Sequence, residues 1–161
     1  MESGALLSTF LLIQSCALME ILPATLRDLN ALRKLETACF GRDAWPLLDL
    51  MAALSFPEVI RLKAVEQKRM VGFVAGDPRP SEGFAWIATL GVDPRFQRRG
   101  IGRALLRACE RQLNLPRIKL TVRMSNIGAI ALYESEGYRM VDIWEAYYKD
   151  GEDGAVMEKV E

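Results

Sequence analysis

Leu90-Gly91-Val92-Asp93-Pro94-Arg95-Phe96-Gln97-Arg98-Arg99-Gly100-Ile101-Gly102-Arg103 is the stretch on which the reading of this 161-residue chain turns. It leaves an apolar strand, passes through a turn with two glycines and enters a helix. The first N–H groups of a helix lack intrahelical partners and the helix dipole adds positive potential there, so such a turn can hold an anion. Gly100 and Gly102 allow close backbone approach, and Arg98, Arg99 and Arg103 add charge suited to a pyrophosphate. The order is not a dinucleotide fingerprint, because GxGxxG is absent, nor a P-loop, because no Gly-Lys-Ser/Thr follows. Taken alone, the turn also fits a helix cap beside a solvated arginine face.

Upstream of it, Phe84 to Val92 reads as a central strand buried on both faces. Gly76 to Gly83 reads as a loop on composition. Val59–Val65 and Val71–Ala75 form an antiparallel hairpin across Gln67-Lys68-Arg69. Met19 to Pro23 is a first strand. Thr25 and Asp28 resemble a capping box, and Leu26, Leu29, Leu32 and Leu35 carry a helix to about Ala38. Trp45-Pro46 opens a short helix to about Leu54.

Downstream, the helix from Gly100 to about Asn114 puts Ile101, Ala104, Leu105, Ala108 and Cys109 on one face and Arg103, Arg107 and Arg111 on the other. Arg117–Arg123 is a strand, Asn126 caps a helix through Glu136, and Gly137 stops it. Tyr138–Tyr148 and Ala155–Val160 are strands on either side of the Asp150–Gly154 turn. The order β-α-α-β-β-β-α-β-α-β-β gives one mixed α/β domain over 19–161, with about seven strands and about four helices.

Composition narrows the chemistry. Half the residues are apolar, and about 160 residues bury roughly 70% of their unfolded surface, so one self-supporting core is expected. Basic and acidic side chains balance at 21 each, which speaks against a nucleic-acid binder. The chain has no histidine, which removes the usual zinc ligand and the Ser-His-Asp and Cys-His nucleophile pairs. Cys16, Cys39 and Cys109 show no CxxC spacing, so they read as small core hydrophobes in a reduced, cytoplasmic chain without a metal site.

Residues 5–19 are as long as a signal-peptide core, but Met1-Glu2-Ser3-Gly4 brings no positive charge. The stretch is too short, and too interrupted by Ser8, Gln14 and Ser15, to cross a bilayer. Residues 1–18 are read as an extension to the domain, with no membrane partner expected.

Gln97-Arg98-Arg99-Gly100-Ile101-Gly102 after Val92-Asp93-Pro94 resembles the acetyl-CoA signature Q/R-x-x-G-x-G/A of the GCN5-related N-acetyltransferase (GNAT) superfamily. Asn126, Ala129, Leu132-Tyr133 and Gly137-Tyr138 resemble a second segment of that family. Within it, Cys39-Phe40, Val122-Arg123, Ser125-Asn126, Ala129 to Glu134, and Tyr147-Tyr148 with Glu152-Asp153 resemble the RimI-type N-terminal alanine acetyltransferases. The resemblance covers about nine tenths of the chain and implies a central, mostly antiparallel twisted sheet.

The resemblance implies that the pantetheine arm of acetyl-CoA runs along the backbone of Leu90, Gly91 and Val92. The pyrophosphate would lie on Arg98, Arg99, Gly100, Ile101, Gly102 and Arg103, with Asn126 also touching the coenzyme. Tyr133 takes the general-acid position. A phenol suits it: with an unperturbed pKa near ~10 it is protonated at pH 7 and can protonate a departing thiolate. Tyr147 and Tyr148 would line the acceptor groove. On their own, Tyr133 also reads as a core aromatic, and one of the Tyr147-Tyr148 pair as strand packing, since neighbouring strand residues face opposite ways.

One position departs from the pattern. RimI-type enzymes carry a general-base glutamate two residues before the arginine of the strand leading to Asn126, and here that residue is Thr121. Threonine takes no proton at neutral pH. The candidates left are Glu36, Glu82, or a water relay through Thr121 and a tyrosine, and both glutamates are expected to be solvated surface residues.

A weak base costs least with a weakly basic acceptor. An α-amine of pKa near ~7.8 is roughly a tenth or more neutral at pH 7, whereas lysine is neutral in well under a thousandth of molecules. Three functions follow: a protein N-α-acetyltransferase working by direct attack in a ternary complex, a small-amine acetyltransferase, or a coenzyme-binding module without catalysis. As partners this leaves a protein N-terminus or a small amine, with the chain a monomer or homodimer. Charge is also segregated. Arg95–Arg123 carries nine basic residues against Glu110, and Glu134–Glu161 nine acidic against three basic, as if one segment suited a polyphosphate and the other a cationic amine.

Overall fold

The computed structural model describes residues 18–161. The expected N-terminal extension, with Cys16, lies outside the described residues apart from Leu18. Seven strands form one sheet: β1 (Glu20–Pro23), β2 (Ile60–Glu66), β3 (Arg69–Arg79), β4 (Phe84–Val92), β5 (Arg117–Arg123), β6 (Arg139–Trp144) and β7 (Gly154–Val160), in the order β1-β2-β3-β4-β5-β7-β6. Four α-helices accompany it: α1 (Leu29–Phe40), α2 (Leu47–Ser55), α3 (Ile101–Leu113) and α4 (Ile127–Ser135). The mixed α/β expectation is borne out, strand and helix numbers included.

Only one neighbouring pair is parallel. β4 and β5 run the same way, which requires a crossover, and α3 supplies it. Every other pairing is antiparallel. The β2–β3 turn is tight because Gln67 and Lys68 both adopt positive φ, 49° and 63°, a backbone twist that matches the strands it joins. Thr25 N–H donates to Asp28 Oδ2 at 2.8 Å, so the capping box does start the first helical turns.

The sheet divides two cores. Val71 and Val74 of β3 face α3 in one cluster with Leu105, Leu106, Ile118, Leu120 and Met157. Phe73 and Ala75 face α1 and α2 in the other, with Leu32, Leu35, Leu50 and Leu54. Seating α3 on β3 needs missing side chains: a Cβ on Gly72 would stand 2.8 Å from Leu105 Cδ1, and one on Gly76 2.8 Å from Cys109 Sγ.

Three expectations are corrected. β3 continues through Gly76–Arg79, which composition marked as loop, because Asp77, Pro78 and Arg79 pair with Trp86, Ala85 and Phe84. β2 has ended opposite Gly76, so Pro78 interrupts no ladder on that side. β4 is central but not buried on both faces. Ala85, Ile87 and Thr89 are buried, Trp86 and Leu90 only partly so and Ala88 exposed, and the run from Trp86 to Leu90 lines a cleft. The strand after α4 stops at Trp144, because Ala146 turns to φ 48° and its N–H is taken by Asp153 Oδ1 at 2.8 Å. Tyr147 and Tyr148 therefore lie in a loop.

Candidate active site

The sheet opens in its middle. β4 and β5 pair only at Ala85–Ile118 and Trp86–Lys119, and beyond those residues they diverge while each keeps its partner on the far side. The pairing of β3 with β4 skips one residue, passing from Ala75–Thr89 to Gly76–Ile87, so Ala88 is a bulge at the mouth of the fork. A bulged residue is left out of the ladder and bends its strand, which suits a site edge. The fork holds a cleft of about 550 Å³. Glu36 and Trp45 line it from the α1 side, Ala129 and Tyr133 from α4 in the opposite layer, so it passes through the sheet.

Past Leu90 on the cleft lining, β4 runs on into the glycine turn. Gly100 sits at φ 79° with open space where a Cβ would be, and Arg98 at φ 62°. Leu90, Gly91 and Val92 pair with β3 on one side and have no strand on the other. Asn126 caps α4 by accepting from Ala129 N–H at 3.1 Å. The two helix starts lie close together. A Cβ on Gly102 would touch Leu132, and the Arg98 guanidinium reaches to within 3.5 Å of where a Cβ on Gly128 would be.

The arginines of the turn are not equivalent. Arg99 pairs with Glu66 at 2.9 Å, and Arg103 and Arg107 both grip Glu136, at 2.8 and 2.7 Å. Arg98 is exposed and, among the described residues, is bonded to no carboxylate. The segregated charges of the sequence also meet in space. Arg117 pairs with Glu158, Lys159 with Glu110, and Arg123 with Asp150 and Glu152. Glu136, Asp150, Glu152 and Glu158 of the acidic C-terminal segment thus pair with arginines of the basic one.

The other end of the cleft is aromatic and held by a salt-bridge hub. Arg123, at the end of β5, donates to Asp43 Oδ2 at 2.6 Å, to Asp150 Oδ2 at 3.0 Å and to Glu152 Oε2 at 2.5 Å. Its guanidinium also lies 4.1 Å from the Tyr148 ring centroid. One side chain thereby ties the α1–α2 connection to the β6–β7 loop. Burial pushes the Tyr148 phenol up to about 12. Tyr147 stacks edge-on against Tyr148 at 5.1 Å and folds onto the sheet beside Thr121, where Gly154 makes room: a Cβ there would stand 2.8 Å from Thr121 Cγ2 and 3.2 Å from the Tyr147 ring. Both tyrosines line the cleft, which loop geometry allows and strand alternation would not.

Glu36 is the buried acid of the site. It is only 3% exposed, against the expectation of a solvated surface residue, because α1 presses this face onto β4. Its carboxylate accepts from Thr89 Oγ1 at 3.1 Å and Trp45 N–H at 3.3 Å. Burial raises its pKa above the ordinary carboxylate range, only partly opposed by those two neutral donors. Glu82 is different: it lies on the surface, 3.6 Å from Arg79. Thr121 lines the cleft.

Tyr133 is 7% exposed, packs 5.7 Å from the Tyr138 ring and lines the cleft. Burial raises its phenol well above the usual range, so it is fully protonated at neutral pH. The thiols are quiet. Burial pushes both Cys39 and Cys109 up to about 12. Among the described residues no three histidine, cysteine, aspartate or glutamate side chains form a metal-ligating group, and no helix is long and apolar enough to cross a membrane.

The profile of the acetyltransferase (GNAT) family matches residues 29–138, from α1 through the end of α4. The chain belongs to this family. The N-alpha-acetyltransferase RimI of Mycobacterium tuberculosis is 34% identical over 144 residues, covering 84% of this chain and 88% of that protein. The crystal structure of the ribosomal-protein-alanine N-acetyltransferase of Escherichia coli superposes with a TM-score of 0.80 at 28% identity, covering 89% of this chain and 94% of that one. The corresponding Salmonella typhimurium enzyme is 39% identical over 92 residues, 55% of this chain and 61% of that protein.

Within this GNAT chain the sequence reading missed four contributors to the cleft: Trp45, Trp86, Trp144 and the hub at Arg123. Trp86 was hidden in an apolar strand, where alternation against Ala85 and Ile87 was the available signal. The hub joins residues up to 80 positions apart, and no local pattern announces it.

Proposed function

We propose that this chain transfers acetyl from acetyl-CoA to the N-terminal α-amine of a protein, by direct attack in a ternary complex formed in the fork of residues 19–161. The observation that carries the reading is the through-sheet cleft, with a buried carboxylate, Glu36, on one side and a buried phenol, Tyr133, on the other. Similarity to enzymes named for N-α-acetylation supports it.

The residues fit the coenzyme. The edge of Leu90–Val92 that faces no strand can turn its outward backbone groups to a pantetheine amide, although the Val92 carbonyl already accepts from Gln97 Nε2 at 3.1 Å. The start of α3, Gly100 to Arg103, offers N–H groups to a pyrophosphate, with Arg98 as the available counter-charge and Asn126 across the fork. Arg99 and Arg103 can join only by sharing or releasing Glu66 and Glu136.

In the reaction the neutral amine attacks the thioester carbonyl, the N–C bond forms and the C–S bond breaks. Glu36 takes the proton that the amine nitrogen sheds, and Tyr133 gives its proton to the leaving sulfur. The raised pKa of Glu36 makes it a better proton acceptor than an exposed carboxylate, and it replaces the base missing at Thr121. Free thiols at Cys39 and Cys109 suit a reducing, cytoplasmic setting.

The test is thiol release from acetyl-CoA with three acceptors: a peptide with a free N-terminus, its N-blocked counterpart containing lysine, and small amines. Release with the first at least tenfold faster than with the others is expected. Equal or faster release with small amines overturns the protein-acceptor reading.

A further inference from the structure

The bulge at Ala88 decides which face of the sheet Thr89 serves. In a regular strand residues two apart share a face, so Ala85, Ile87 and Thr89 would all point the same way. They do not. Ile87 is paired with Gly76, where an added Cβ would meet Cys109 and Leu113 of α3, and Ala85 and Ile87 both lie in the α3-side core. Thr89 is paired with Ala75, which lies in the core under α1 and α2, and a Cβ on Gly91, two residues on, would meet Cys39 and Phe40 of α1. The extra residue has moved the alternation by one, so that Leu90 and Val92 take over the α3 side and Thr89 is turned to α1.

What it is turned to is Glu36. The buried Thr89 hydroxyl donates to Oε1 at 3.1 Å and Trp45 N–H donates to Oε2 at 3.3 Å, so each carboxylate oxygen has a neutral holder from a different part of the chain. The Trp45 contact is backbone, which any residue but proline would offer. The Thr89 contact depends on its side chain. Ion pairs do not take its place: the Cys39 thiol is pushed up to about 12 by burial, Asp43 is paired with Arg123 and Asp77 with Arg79, and the Tyr133 and Tyr148 phenols are protonated. A hydroxyl suits a carboxyl that gains and loses a proton, because it donates to the carboxylate and accepts from the carboxylic acid. Valine has nearly the same shape and does neither.

We propose that Thr89 is a positioning residue for the reaction: turned by the Ala88 bulge, its hydroxyl holds the Glu36 carboxyl in the orientation from which it takes the proton of the amine. This rests on the reading of Glu36 as the base. The test measures kcat against pH, at saturating acetyl-CoA and peptide, for the wild-type chain, Thr89→Val, Thr89→Ser, Glu36→Gln and the double variant Glu36→Gln/Thr89→Val. Thr89→Val is expected to lower the plateau kcat about tenfold and to move the acid limb up by about one pH unit, because losing a donor to the carboxylate favours its protonated form. Thr89→Ser is expected to keep the limb in place and most of the rate. In the Glu36→Gln background the valine substitution is expected to change kcat by less than about twofold, since it acts through a carboxylate no longer there. Where the valine variant does not fold, Thr89→Ala gives the same comparison. An unmoved limb or an unchanged plateau in Thr89→Val, a serine variant as impaired as the valine one, or an equal loss in both backgrounds overturns the positioning role and leaves Glu36 as the base. An acid limb that persists in Glu36→Gln at the wild-type rate overturns the base, and the positioning role with it.

Discussion

The two ends of the cleft are made in opposite ways. At the end proposed for the coenzyme, one contiguous stretch from Leu90, the last β4 residue on the cleft lining, to Arg103 supplies a strand edge, a turn and a helix start, and the groups it offers are mostly backbone. At the proposed acceptor end, Glu36, Trp45, Trp86, Arg123, Trp144 and Tyr147 arrive from six separate elements or loops, and everything offered is side chain. Backbone recognition tolerates substitution around it, whereas a side-chain site is lost with single residues. Mutation should therefore be blunt at the first end and sharp at the second.

The largest expected effect is at Glu36. Glu36→Gln should lower kcat by roughly 10²- to 10⁴-fold in a thiol-release assay, with coenzyme affinity by calorimetry unchanged. The same variant should melt at a higher temperature at pH 7. The folded-state pKa of Glu36 is raised, so the native state binds the proton more tightly than the unfolded one. Its ionisation costs stability as pH rises through the window from the ordinary glutamate value to the raised one, and glutamine removes that cost. Tyr133→Phe, which deletes one hydroxyl from a buried ring, should lower kcat about 10²-fold without moving either KM.

Smaller effects test the blunt end. Arg98→Ala should raise the KM for acetyl-CoA about tenfold, the loss of one charge-assisted contact, and Arg103→Ala less, since Arg103 is already held by Glu136. An Arg98→Ala variant as inactive as Glu36→Gln would break the contrast between the two ends. Gly154→Ala should raise the acceptor KM several-fold, because its Cβ would press on Thr121 and the Tyr147 ring while leaving the coenzyme side untouched.

That contrast also explains how much was legible. The β-α-α-β-β-β-α-β-α-β-β order, the capping box ahead of α1 and the glycine turn follow from periodicity and local chemistry, and the structure has all of them. The acceptor end was partly hidden. Tyr147 and Tyr148 could be named from the resemblance, but their shared orientation depends on a loop set by Asp153 and the Arg123 hub. Glu36 looked like surface, because only the contact of α1 with β4 buries it. Arg99 and Arg103 looked free, because their partners Glu66 and Glu136 lie some thirty residues away in sequence. The fork in the sheet is a matter of where pairing stops, which no residue pattern in β4 or β5 states.

The most direct measurement is kcat against pH at saturating acetyl-CoA and saturating peptide, for the wild-type chain and Glu36→Gln. Wild type should lose activity on the acid side through a limb displaced upward from the ordinary carboxylate range, and Glu36→Gln should retain a low rate without that limb. An identical acid limb in both proteins, at comparable rates, would remove Glu36 as the base and with it the account of how this cleft works without a glutamate at position 121.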